Sequence, residues 1–213
     1  MSGQVKGRRS YDASGRQEQA RLTRLAVVRA AYDLFVEKGY GRTTIGDVAR
    51  AAGVSPETIY GAFGSKAGLL HRVWDVTIGG DDDEVVYHER PEIQALQKEA
   101  DLARRLEMQA RLFTSTAQRV APFLLAVQGA ASSDEAAAQM LEEMGRQRLH
   151  GLSVMAAAAA ATGQLAVSEE HCRDIMWSTT DGVLWHRLVQ QRGWSDDEFA
   201  QWLAGVWIAS LVR

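Results

Sequence analysis

The chain has 213 residues, of which 46% are apolar, and a single cysteine, Cys172. That composition supports a sizeable core, excludes an intrachain disulfide, and leaves no apolar run long enough to cross a bilayer, the longest being Val154–Ala161. The net charge of −3 hides an asymmetry: residues 1–72 hold twelve cations and six acids, net +6, and the remainder holds twelve cations and twenty-one acids, net −9. A basic head on an acidic body fits a head that meets phosphate and a body that does not.

In chain order, residues 1–16 are small, polar and basic without an apolar period. They read as a disordered arm, either a solvated tail or a segment that lies along DNA phosphates or enters a minor groove. No hydrophobic segment follows them, so they are not a secretory signal. From Gln17 to Lys38, Leu22, Leu25, Val28, Tyr32, Phe35 and Val36 recur at helical steps, and Gly39 ends the helix. At Thr44 a second helix begins, with Asp47 placed to complete a capping box and Ile45, Val48 and Ala49 facing inward. Gly53 stops it, and Ser55 and Pro56 restart the chain as N-cap and first helical residue. The third helix turns Ile59 and Phe63 inward and Glu57, Thr58, Tyr60 and Gly61 outward. Stop, turn and restart within four residues make a helix-turn-helix, whose second helix can enter a DNA major groove.

The longer string is more specific than the shape. Thr44-Ile45, Asp47-Val48-Ala49, Ala52-Gly53-Val54-Ser55, Thr58-Ile59-Tyr60, Phe63, Ser65-Lys66 and Leu69-Leu70 resemble the N-terminal DNA-binding domain of TetR-type transcriptional regulators. The resemblance implies an all-α fold, a homodimer and an effector pocket among the C-terminal helices. It makes Tyr60 and Lys66 phosphate contacts, and it places Thr44, Ser55, Pro56, Glu57, Thr58 and Gly61 at the DNA surface as well. By chemistry, Thr44 offers a helix N-terminus to a phosphate. Thr58 and Glu57 are the candidates for reading bases, through an edge or thymine methyl and through cytosine N4. The chain departs from the family at Gly46, Gly61 and Ala62, where side chains that other members aim at DNA are absent. Phosphate positioning and DNA shape then carry more of the recognition.

Ser65–Thr77 reads as a linking helix with Leu69, Leu70, Val73 and Trp74 inward, broken at Gly79-Gly80 by the acid run Asp81–Glu84, a solvated loop without the alternation of a calcium site. Helices follow over 92–98, over 101–129 with a kink at Pro122, over 134–162 behind a Ser133 cap, over 168–193, and from Ser195 to the end. The organisation expected is a basic arm over 1–16, a helix-turn-helix domain over 17–64, a linker over 65–80 and an effector-binding and dimerisation domain over 81–213.

Amphipathic mid-helix positions make Gln109, Phe113, Met144, Arg148, Trp177, Asp181 and Trp185 the candidates for an effector pocket, which suits an apolar or aromatic compound with one polar handle. The last two helices, rich in tryptophan, offer Leu184, Leu188, Trp202, Leu203, Val206 and Trp207 to a symmetry mate in a four-helix interface. No phosphate loop, zinc spacing or nucleophile elbow is present, so no catalytic residue, metal or cofactor is expected. The expectation is a cytoplasmic, nucleoid-associated homodimeric repressor that binds a palindromic operator and is released by a small molecule. The alternatives are an effector-independent regulator or activator, or a helical partner-binding module or enzyme with a vestigial head.

Overall fold

Helix α1 (Arg8–Lys38) opens the structure, a computed structural model that describes residues 8–80 and 91–213, with side chains from residue 15 onward. The helix starts nine residues before the Gln17 expected from the apolar stripe. Arg8–Arg16 contains no proline, and one glycine, Gly15, costs a helix only about 1 kcal/mol, so the polar stretch extends the helix instead of forming an arm. Of the expected arm, residues 1–7 lie outside the described residues, as does the acid run Asp81–Glu84.

Helix α2 (Ile45–Ala52) carries the expected capping box between Thr44 and Asp47 and ends at Gly53 in the left-handed conformation, φ +67°. Ser55 caps α3 (Pro56–Phe63), with Pro56 in the first turn. Ser65 caps α4 (Lys66–Gly79), which stops at Gly80, φ +87°. The body follows as α5 (Pro91–Lys98), α6 (Leu102–Ala131) and α7 (Glu135–Ala160). The cap of α7 is Asp134, not Ser133: its carboxylate accepts from the Ala137 N–H, whereas the Ser133 hydroxyl donates back to the Ala130 carbonyl. The single helix expected over 168–193 is broken. Helix α8 (Glu169–Thr179) ends before Gly182, whose φ of +83° no helix accommodates. There the backbone runs against Ala121 of α6, where a Cβ would meet the alanine methyl at 3.1 Å. The chain resumes as α9 (Val183–Trp185), continues as a π-helical segment (His186–Gln191), and closes with α10 (Asp196–Leu211). Among the described residues the only extended pairing is an isolated bridge between Leu165 and Val212.

Two buried cores organise these helices. The first contains Val28, Phe35, Val48, Ile59, Leu70 and Trp74 from the first four helices, and also Phe123, Val127 and Ala130 from the end of α6 and Met140 and Met144 from the start of α7. Phe123, fully buried, lies between the rings of Tyr32 and Trp74, stacked at 6.2 Å from each. The head therefore closes its core with the α6–α7 corner of the body. The second core joins Leu102, Leu106, Met176, Phe199, Leu203 and Trp207 from α6, α8 and α10. Arg105, buried and without a carboxylate partner among the described residues, donates to the carbonyls of Gln97, Glu99 and Ala158, tying the α5–α6 turn to α7.

Candidate nucleic-acid interface

The outer face of α3 is a row of exposed residues on a short, firmly held helix. Ile59 is buried in the head core, while Pro56, Glu57, Thr58, Tyr60 and Gly61 are exposed, Tyr60 by 52%. Tyr60 is one of the few large apolar side chains left in solvent. A ring with a hydroxyl tip standing in solvent on a head of net positive charge is suited to a phosphate or sugar. Ser55 accepts from the Thr58 N–H at 3.3 Å, and its oxygen also lies 3.3 Å from the Thr58 hydroxyl. The Glu57 carboxyl is held below its ordinary range, first by the Ser55 hydroxyl and then by its own N–H, so it is an anion and an acceptor at neutral pH. The placement of α3 depends on Gly68, in the first turn of α4, where a Cβ would collide with the Phe63 carbonyl.

Thr44 is exposed at the start of α2, yet both of its donors are already engaged. Its hydroxyl and its N–H donate to one oxygen of Asp47, at 2.8 and 3.1 Å. Arg50 takes the other carboxylate oxygen at 3.1 Å. Together, the Thr44 hydroxyl first, these lower the Asp47 pKa to about 2. The Thr44 hydroxyl is thus a cap whose proton points to Asp47, and the N–H groups of Ile45 and Gly46 are the ones left at the helix start. The absent side chain at Gly46 leaves that terminus open.

Lys66 is half-buried. Its ammonium donates to the Tyr40 carbonyl at 2.7 Å and sits 4.0 Å over the Tyr40 ring, and burial lowers its pKa. One of its three donors is spent inside the head, and two remain.

The seven candidates for an effector pocket are dispersed. Gln109 and Phe113 belong to α6 in the body; Gln109 is buried, and its Oε1 is the one buried side-chain polar atom without a partner among the described residues. Met144 belongs to the head–body core and not to a body pocket, because the start of α7 is drawn into that junction. Arg148, Trp177 and Asp181 are brought together: the guanidinium lies 3.5 Å over the Trp177 ring and donates to the Trp177 carbonyl, with Asp181 close enough to favour its charge. Trp185 is buried, donates to Asp196 at 2.7 Å, and lines a different place, a cleft of about 900 Å³ between head and body.

The dimer candidates divide as well. Leu203 and Trp207 are fully buried within one chain, at 0% and 1% exposure, so they are core and not contact surface. The 3.6-residue period of α10 points them at α6 and α8, and the Trp207 indole donates to Thr179 at 2.9 Å. Leu184, Leu188, Trp202 and Val206 are only partly buried.

Sequence reasoning missed the residues that join this interface to the body. The Tyr32 hydroxyl donates to the Arg119 carbonyl, Arg119 donates to the Thr77 carbonyl near the end of α4, and the Trp74 indole donates to Gln147 of α7. Pro122 was the one local mark of this turn: it leaves the Gln118 carbonyl without its helical donor, next to the Arg119 carbonyl that Tyr32 bonds.

Residues 27–73 match the family described as "Bacterial regulatory proteins, tetR family". The HTH-type transcriptional regulator TtgR of Pseudomonas putida is 39% identical over 59 residues, which cover 28% of this chain and 28% of that regulator. The match to such curated relatives thus spans under a third of their length. Whole-chain similarity comes from solved structures. NalD, the secondary repressor of the MexAB-OprM multidrug efflux pump in Pseudomonas aeruginosa, is similar with a TM-score of 0.64 at 20% identity, over 91% of this chain and 98% of that one. A SmeT–triclosan complex is similar with a TM-score of 0.67 at 19% identity, over 90% and 92%.

Proposed function

We propose that this chain, by its DNA-binding head a member of the tetR family of bacterial regulatory proteins, is a homodimeric transcriptional repressor in the cytoplasm, released from a palindromic operator by a small molecule. The observation that carries the reading is the exposed row Glu57, Thr58, Tyr60 and Gly61 on α3, with Ile59 anchoring the helix from behind. That is the arrangement a helix needs to enter a major groove without losing its own packing. In this reading α3 lays Thr58 and Glu57 on base edges, while Tyr60, Lys66 and the N–H groups at the start of α2 take phosphates on either side. Two heads related by a two-fold axis read two half-sites one helical turn apart.

Release follows from the shared core. Because Phe123, Val127 and Met140 complete the head's interior, a movement of the α6–α7 corner is a movement of the head. A ligand that favours one position of that corner shifts the spacing of the two recognition helices, in proportion to its preference between the two states. The unpartnered Gln109 Oε1 inside the body supports a ligand whose apolar bulk is buried and whose single donor meets that oxygen. The similarity to the SmeT–triclosan complex supports an apolar or aromatic effector of the same general kind.

The test is a triple substitution of Glu57, Thr58 and Tyr60 by alanine. Expected is loss of binding to duplex DNA that the unaltered protein retains, with an unchanged melting curve, because all three side chains are exposed. Retained binding by the folded variant would remove α3 from the DNA interface.

A further inference from the structure

Among the described residues, every buried polar side chain but one spends itself on a main-chain carbonyl. Thr43, Thr77, Arg105, Thr114 and Thr180 each donate to at least one. Gln109, 3% exposed on α6, leaves its Oε1 unmet. An unpaired buried acceptor costs a fold more than an ordinary hydrogen bond returns, so an oxygen kept in that state points to a partner from outside the chain.

The surroundings explain why the chain itself supplies none. The main-chain N–H groups of α6 around Gln109 belong to the helix's own ladder. Arg105, one turn before it, already donates from each of its three nitrogens, to Gln97, Glu99 and Ala158. The Thr114 hydroxyl is spent on the Ala110 carbonyl. Phe113, one turn after Gln109, and Met155 of α7 pack against the second core but are only partly buried. An unbranched thioether repacks readily, so this part of the core yields room to an apolar guest without breaking a polar contact.

The same surroundings set the guest's charge. No Asp or Glu among the described residues is buried, so an ammonium brought here would lack a counter-ion. A carboxylate carries no proton for Oε1, and the nearby guanidinium is committed to its carbonyls. A neutral O–H meets the oxygen and leaves no charge to desolvate.

We infer that Gln109 is the specificity-determining residue of the effector site and selects a neutral hydroxyl compound, a phenol or alcohol with an apolar tail, over its ether and over ions of either sign. The inference deepens the effector reading above and rests on it. Its corollary is that the chain keeps Gln109 at a cost to its own stability.

The probes are para-butylphenol, para-butylanisole and para-butylbenzoate, each titrated by calorimetry into the full chain. Saturable binding of the phenol is expected, about tenfold tighter than the ether and the benzoate, which bring no donor. Gln109→Met follows the same unbranched path, and Gln109→Leu guards against a poor fit of the thioether. In the better-folded of the two the preference for phenol over ether disappears, and without ligand the melting temperature rises by about 2–4 °C. Equal binding of phenol and ether by the unaltered protein, no binding of either, or a preference that survives in both variants would overturn the inference. So would a melting temperature that rises in neither variant, which would mean that water serves the oxygen. Binding of the same samples to duplex DNA is measured without ligand. A chain that holds DNA and ignores the phenol loses this inference and keeps its DNA-binding head; a chain that prefers the phenol and holds no DNA keeps the ligand site and loses the regulator.

Discussion

The Tyr32 hydroxyl on α1 donates to the main-chain carbonyl of Arg119 on α6 at 2.8 Å. Arg119 lies three residues before Pro122 and next to Gln118, whose carbonyl the proline leaves without its helical donor, so the bond ties the head to the turn of α6 that the proline interrupts. The head and this turn of α6 are thereby joined. Tyr32→Phe keeps the stack on Phe123 and removes only this bond. The expected cost is about 0.5–1.5 kcal/mol, seen as a lower midpoint in urea at an unchanged slope. An unchanged midpoint would mean that water serves the carbonyl equally well.

Gly68 fixes the recognition helix from below, because a Cβ there would collide with the Phe63 carbonyl at the end of α3. Gly68→Ala improves helix propensity in α4, and in an open site would stabilise. Here it should displace α3 and weaken DNA binding while the thermal midpoint also falls. A rise in midpoint with full DNA affinity would contradict the close approach.

Asp47 sets a pH dependence. Its pKa falls from 3.8 unfolded to about 2 folded, held there by the Thr44 hydroxyl and N–H and by Arg50. A depressed carboxylate contributes stability that is fully present above the unfolded value and is lost as pH falls through the folded one. Asp47→Asn should therefore lower the melting temperature at pH 6, with the gap to the unaltered protein narrowing between pH 4 and about 2. A gap that stays constant through that window would assign the effect to something other than the capping box.

Much of the head was legible because its punctuation is local. Thr44 with Asp47, Ser55 with Pro56, and Gly53 at a stop each carry their own mechanism within four residues, and the period of α3 separates Ile59 from Thr58 and Tyr60. The body was less legible because a helical period tells which face is buried but not against what. Helix α6 is 30 residues long and feeds two cores, so Phe123 and Leu106, similar in pattern, serve the head and the body respectively. The break at Gly182 was hidden by apolar residues that keep helical spacing on either side of Asp181. The Arg148–Trp177 contact joins residues 29 apart and has no local signature.

In the proposed complex Lys66 and Thr58 make two different kinds of DNA contact. Lys66→Ala should weaken binding to all sequences alike and lower the salt slope by about one. Thr58→Ala should change preference at particular base pairs, worth about 1–3 kcal/mol each, with little change in slope. Competition binding at several salt concentrations reads both. A Lys66→Ala variant with reduced affinity but an unaltered slope would place the lysine's role inside the head, on Tyr40.

On α10 the proposed dimer residues Trp202 and Val206 each stand one position before a core residue, Leu203 and Trp207. Val206→Arg on the partly exposed face should leave a folded chain that sediments as a monomer. Leu203→Ala, in a fully buried site, should cost about 2–5 kcal/mol of stability in a chain that still pairs when folded. A dimeric Val206→Arg variant would move the interface elsewhere.

The most direct test of a dimeric sequence reader is selection of random duplex DNA on the purified protein, repeated across salt concentrations. The account predicts an inverted repeat, its half-sites one helical turn or a multiple apart, bound by two chains and still selected as salt rises. Recovery of no motif, with affinity that falls smoothly to nothing as salt increases, would mean that the basic head attracts DNA without reading it, and would contradict the account.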